Sequence, residues 1–114
     1  MSFRFTSDCR IRQSSEFERI FRGRNFVNKW FSIYVIENHY KFSRLGLVIS
    51  KKTISKSVNR NYAKRLIREI FRLNIEFLPT LDYVVRIRRK ITMETSTEAR
   101  VALLHLMLSA KNHD

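Results

Sequence analysis

The chain has 114 residues, 44% of them hydrophobic, with two Gly and one Pro, which is enough for one modest core and argues against a disordered or low-complexity protein. A formal charge of +13 and a pI near 10.8 exceed what solubility needs and repel one another in a compact state unless an anion is bound. Nucleic acid is therefore the first partner class to consider, and an acidic membrane surface the alternative.

The segment MSFRFTSDCRIR at the start has no apolar run long enough for a signal peptide. No stretch approaches the ~20 apolar residues that cross a bilayer. Cys9 is the only cysteine. It cannot form an internal disulfide, and a zinc site would need ligands the chain lacks. A reducing cytoplasm is the expected location, with Cys9 acting as a small, partly buried hydrophobe.

In chain order, a first helix is predicted from about Ser15 to Arg22, with Ser15 and Glu18 at capping-box spacing and Gly23 at the stop. Phe17, Ile20 and Phe21 make its apolar stripe. Residues 30–37, WFSIYVIE, read as a strand with a wholly apolar Phe31, Ile33, Val35 face and a mixed face of Trp30, Ser32, Tyr34 and Ile36. A second strand, 43–50, contains Gly46, which marks either a bulge or a close backbone approach. Lys51 and Lys52 end it.

Residues 57–74 form a basic helix. At ~100° per residue, Arg60, Asn61, Lys64, Arg65, Arg68 and Arg72 share one arc of roughly 140°, while Val58, Tyr62, Ala63, Leu66, Ile67, Ile70 and Leu73 fall opposite. Glu69 sits at the boundary. The apolar side must pack on something to hold the helix, so the cations line up outward. Beyond Pro79, a third strand spans 82–88. Thr95 with Glu98 repeats the capping-box spacing before a last helix to about Ser109, with Val101, Leu104, Met107 and Leu108 on its apolar side. The order helix, strand, strand, helix, strand, helix gives an α/β (α+β) sandwich: a small sheet covered by three helices on at least one face. A single RNA-binding domain over 1–114 is expected, with 1–9 and 110–114 as loose ends.

Catalytic signals are missing. The acids do not cluster as the metal pair of a nuclease requires, Glu16 and Glu18 point to different sides of a helix, and His39, His105 and His113 have no ligand or base partner at useful spacing. Two glycines cannot build a phosphate loop. No catalytic and no metal-binding residue is assigned. Binding signals are stronger. A solvated helix face normally mixes both signs, whereas this arc holds no acid. By spacing alone Phe17 and Phe21 read more readily as core than as base-stacking residues, and Trp30 and Tyr34 are evenly balanced. Arg86, Arg88, Arg89 and Lys90 form a second basic cluster at a strand end, free either to touch RNA or only to solvate that end.

Taken together, SRLGLVISKK (43–52), SVNRNYAKRLIREIFR (57–72) and LDYVVRIRRK (81–90) resemble the protein subunit of bacterial ribonuclease P, with EFERIF (16–21) similar to that family's first helix. Arg60 and Asn61 open the family's signature, Lys64-Arg65 supply its basic pair and Arg68-Glu69 complete it. Where the family typically has a second Arg, this chain has Tyr62, which puts an RNA contact there in doubt. The resemblance implies a division of labour. The catalytic RNA removes the 5′ leader from precursor tRNA, with magnesium held by RNA and no cofactor bound by the protein alone. The protein, expected at one per RNA, binds the catalytic RNA and the single-stranded leader. It implies RNA contacts at Lys51, Lys52, Arg60, Asn61, Lys64, Arg65, Arg68 and Arg72, and a leader cleft lined by Phe17, Phe21 and Tyr34. It also implies a four-stranded sheet, one strand more than the residues alone reveal, and a left-handed crossover around the basic helix. Two other readings fit the charge: a ribosomal or other structural RNA-binding protein, and a membrane-surface protein, which lacks the exposed Trp/Leu face of an interfacial helix.

Overall fold

A computed structural model describes residues 10–112; Cys9 and His113 lie outside them. The elements are α1 (Ser14–Phe21), β1 (Arg24–Val27), β2 (Phe31–Glu37), β3 (Arg44–Val48), α2 (Ser57–Asn74) with a short 3-10 turn (Ile75–Phe77), β4 (Leu81–Ile87) and α3 (Ser96–Asn112). The strands form one mixed sheet in the order β1-β2-β4-β3. Both β1 with β2 and β2 with β4 are antiparallel, whereas β3 runs parallel to β4 and reaches it through α2.

The strand missed in the sequence is β1, RNFV, just after Gly23. Four residues with two polar members carry almost no periodic signal, and β1 is an edge strand paired only to β2. Gly23 does more than end α1. A Cβ there would lie 2.2 Å from the Val35 carbonyl oxygen of β2, so a bare backbone is what allows the chain to turn from helix into pairing. Gly46 is a close approach and not a bulge: a Cβ would meet the Phe17 ring at 2.8 Å.

Alternation divides the sheet into two faces. On one, Phe31, Ile33 and Val35 of β2 and Leu45, Tyr83, Val85 and Ile87 of β3 and β4 are buried against α2 and α3 in the main core. Burying each large apolar side chain there contributes about 1.5–3 kcal/mol. On the other face, α1 covers only part of the sheet, through a small core of Ile11, Ile20 and Val84. Trp30, expected on the mixed face, precedes β2 and is buried in the main core.

Helix α2 runs over the predicted span, but its buried stripe is Ala63, Leu66, Ile67, Ile70 and Phe71, the i, i+3, i+4, i+7, i+8 pattern of a packed helix. That stripe is turned by roughly 60° from the predicted apolar arc, counted at the helical period. Val58 and Leu73 are accordingly exposed, and Phe71 is buried. In α3 the correction is larger. The buried side is Ala99, Leu103, Leu106, Met107 and Ala110, while Val101 and Leu108 are exposed. Nearly every position from 101 to 108 is apolar, so the sequence leaves the facing stripe undefined. Ala110 is buried within α3, so the expected loose end does not begin there.

Neither predicted capping box forms. The N-cap of α1 is Gln13, which makes no side-chain cap. Near α3, the Thr95 hydroxyl accepts the Thr92 N–H at 3.0 Å, and Glu98 pairs with Lys29 at 3.6 Å.

Candidate nucleic-acid interface

The basic row of α2 survives the rotation of the buried stripe, with one exception. Asn61, Arg65 and Arg72 are exposed, and Lys64 and Arg68 are half-buried beside them. Arg60 is turned back along the chain: its Nη1 donates to the carbonyls of Ile54 at 3.0 Å and Ser55 at 2.7 Å, tying the β3–α2 connection to the first turn of the helix. Tyr62 is half-buried and packs against the main core. Glu69 pairs with Arg100 of α3 at 3.6 Å, away from the row. None of the ion pairs among the described residues engages Arg60, Lys64, Arg65, Arg68 or Arg72. Lys51 and Lys52 are exposed in the turn that leads into α2.

Two further cations, missed in the sequence, join this row. The Ile11 N–H donates to the Leu45 carbonyl at 2.9 Å, and Arg10 bridges to the same residue in parallel fashion. The segment thus runs along the edge of β3, where Arg10, Arg12, Lys64 and Arg68 line a hollow of about 120 Å³ over Leu45 and Leu47. Burial first, and then the like charges of Arg10 and Arg12, lower the Arg68 pKa below the ordinary guanidinium value. A guanidinium stays protonated under such pressure, so a phosphate seated here would relieve the repulsion. The alternating Arg-Ile-Arg at 10–12 was the available signal: a basic, strand-like segment flanking an apolar residue.

The second feature is the partly covered face of the sheet. In register across it lie Tyr34, Val84 and Gly46, and beside them Ser32, Arg86 and Val48. Phe17 of α1 lies over Gly46. Phe21, 39% exposed, meets Tyr34 edge to face, with ring centroids 4.8 Å apart and planes at 83°. An open groove of about 460 Å³ follows, walled by Phe17 and Phe21 and floored by Leu47, Val48 and Ile49. The fold therefore brings Phe17, Phe21 and Tyr34 together. They are neither fully core nor fully free, which is the condition for aromatic faces to meet a ligand.

Of the second basic cluster, Arg86 is exposed on this groove face and, with Ser32, Thr53 and Arg88, lines a polar hollow of about 280 Å³. Arg88 is tied down, donating to the Asn28 carbonyl. Arg89 and Lys90 are exposed just beyond β4.

Beneath α1 lies a buried ion network that composition gave no hint of. Asp82, fully buried, accepts from Arg44 Nε at 2.9 Å and Nη2 at 2.6 Å, from Asn38 at 2.8 Å and from Arg19. Arg44 also donates to Glu16 at 3.0 Å and stacks on Tyr40. Burial alone would raise the Asp82 pKa, but the hydrogen bonds and charges of Arg44, Asn38 and Arg19 prevail and hold it below the usual carboxylate value. The hydrogen bonds that Arg44 donates to Asp82 outweigh desolvation and raise the Arg44 pKa.

A family model described as Ribonuclease P matches residues 5–111. The ribonuclease P protein component of Chromobacterium violaceum is 39% identical over 90% of this chain and 85% of its own length; that of Alkaliphilus oremlandii is 36% identical over 86% and 87%. Among solved structures, the Staphylococcus aureus RNase P protein superposes with a TM-score of 0.82 at 30% identity, covering 93% of this chain and 98% of that one. The Thermotoga maritima RNase P protein gives 0.74 at 32% identity, covering 92% and 98%. Together with the basic helix, the aromatic groove and the mixed sheet that joins them, these matches lead to one conclusion: the chain belongs to the ribonuclease P family, as its protein component.

Proposed function

We propose that this protein binds the ribonuclease P RNA through the α2 row and holds the single-stranded 5′ leader of precursor tRNA in the α1 groove, assisting RNA-catalysed removal of that leader. The observation that carries the reading is the cationic row Lys64, Arg65, Arg68 and Arg72, beside Asn61, which no carboxylate among the described residues neutralises. Lys51 and Lys52 extend the row, and Arg60 contributes mainly by holding the start of the helix. Cations that displace counterions from phosphates give affinity without reading sequence, and aromatic stacking on bases is equally tolerant. Both suit a protein that serves many precursors.

Among the described residues no group of three or more His, Cys, Asp or Glu side chains is placed to share an ion. The magnesium that phosphodiester hydrolysis requires is assigned to the RNA, with one protein per RNA acting in the cytoplasm. No helix among the described residues is long and apolar enough to cross a membrane, and a membrane partner is not part of the reading. Reconstitution tests it. Added to the catalytic RNA at low magnesium, the purified protein should restore cleavage at the tRNA 5′ end. Failure to restore it, with co-sedimentation on ribosomal subunits instead, would favour a structural RNA-binding role.

A further inference from the structure

Helix α1 has eight residues and a single fully buried side chain, Ile20. A helix that short does not hold its own conformation in water. Its apolar contacts are Ile20, the half-buried Phe17 packed on the same small core, and the Phe21 ring against Tyr34. Ionic contacts add a second set of constraints. Glu16 and Arg19, one turn apart, bind two members of the buried network on the sheet: Glu16 accepts from Arg44 of β3 at 3.0 Å, and Arg19 pairs with Asp82 of β4. Arg44 and Asp82 are themselves joined by two parallel hydrogen bonds, a geometry with little angular freedom. Phe17 lies between the two anchors in sequence, and Phe21 follows half a turn beyond Arg19.

We infer that the Glu16–Arg44–Asp82–Arg19 network is a positioning device: it sets where Phe17 and Phe21 stand over β3 and Tyr34, and so governs how tightly the groove holds a single-stranded segment. Glu16 and Arg19 act through the two rings and not by touching the nucleic acid. The inference rests on the proposed leader-binding role of the groove.

The double variant Glu16→Gln with Arg19→Gln tests it, because net charge is conserved and the Arg44–Asp82 pair is kept. In holoenzyme reconstituted with the catalytic RNA, affinity is measured for a precursor with a leader and for the same tRNA without one. The ratio of the two should fall about 3- to 10-fold, as expected when stacking groups are displaced but retained. Affinity for the catalytic RNA and for the leaderless tRNA should stay unchanged, and so should the salt dependence of leader binding. Arg19→Lys, which keeps the charge beside Asp82, should recover most of the ratio. Phe17→Ala with Phe21→Ala is measured alongside. If that variant lowers the ratio and the Gln variant does not, the positioning role is wrong and the groove reading stands. If neither lowers it, the groove reading itself is wrong. A salt slope reduced by about one unit in the Gln variant would mean that Arg19 meets a phosphate, which also overturns the inference. Should the double variant not fold, Glu16→Gln alone carries the test, and an unchanged ratio there counts against it.

Discussion

Helices α1 and α2 both carry arginine, but they use it in opposite directions. In α1, Arg19 turns inward to a buried carboxylate, and the arginine beneath it, Arg44, is enclosed by Asp82 and Glu16. In α2, Arg65, Arg68 and Arg72 face outward and meet no acid among the described residues, while the helix's own acid, Glu69, is drawn off to Arg100. The same side chain is thus structural where carboxylates surround it and available where they do not. A buried pair stabilises only when its hydrogen bonds are complete, and removing one member leaves a stranded charge. A row with no carboxylate partner adds little to the fold and leaves its charge uncompensated.

The sharpest way to break the comparison is Asp82→Ala. It leaves Arg44 buried without its main acceptor and should cost about 3–5 kcal/mol, read as a lower urea midpoint at unchanged slope. A loss below about 1 kcal/mol would mean that the network does not hold α1 or the sheet. The same carboxylate sets a pH limit. Its folded pKa is depressed, so its contribution is fully present above the unfolded value of about 4 and is lost as pH falls through the lower folded value. Melting temperatures measured from pH 6 downward should drop through that window, and less so in Asp82→Asn, whose amide does not titrate.

Gly23→Ala comes next. The added methyl would collide with a backbone oxygen of β2 at 2.2 Å, and backbone yields poorly, so a loss of about 1–3 kcal/mol is expected. Gly46→Ala pushes instead on the Phe17 ring, which can move with α1. It should disturb stability less and the groove more. Equal effects on both readouts would show that the groove and the sheet are not separable in this way. Phe21→Ala removes a ring that is already 39% exposed. It should leave stability nearly intact while leader-bearing substrate loses about 1–3 kcal/mol of affinity, the contribution of one stacked base. A thermal melt beside a titration with and without leader separates the two outcomes.

How much of this could be read from residues alone follows from where periodicity and charge carry information. The long basic helix, its boundaries and its row were legible because cationic and apolar residues alternate at a helical period over five turns. The buried stripe was misplaced because Val58 and Leu73, apolar but outside the contact, pulled the arc away from Phe71. In α3 the apolar residues are so dense that no face stands out, and β1 is too short and polar to signal. Only the family resemblance groups Phe17, Phe21 and Tyr34, since spacing alone favours core for the two phenylalanines; in the fold the three rings lie together. The Asp82 network was invisible for a different reason. Its members come from α1, the β2–β3 turn, β3 and β4, and nothing local marks an Asp between two apolar residues as the hub of four donors. Arg10 and Arg12 lie in a segment too short to carry a periodic signal, yet the edge of β3 brings them against Lys64 and Arg68.

The smallest expected effect on stability lies in the α2 row, and it is the most informative about function. Arg65 is exposed, so Arg65→Ala should change unfolding free energy by no more than about 0.5 kcal/mol. Arg68→Ala removes a charge crowded by Arg10 and Arg12, and its loss relieves repulsion, so stability should hold or rise slightly. On RNA the order reverses. Each variant should weaken binding to the catalytic RNA and reduce the slope of log affinity against log salt by about one unit if each side chain meets one phosphate. Arg60→Ala is the internal control: its guanidinium is engaged by the Ile54 and Ser55 carbonyls, so it should lose stability through the start of α2 and change the slope less than Arg65→Ala. An unchanged slope in Arg65→Ala and Arg68→Ala, or a stability loss above about 1 kcal/mol in either, would place those arginines in the structural class with Arg44 and remove the distinction between the two helices.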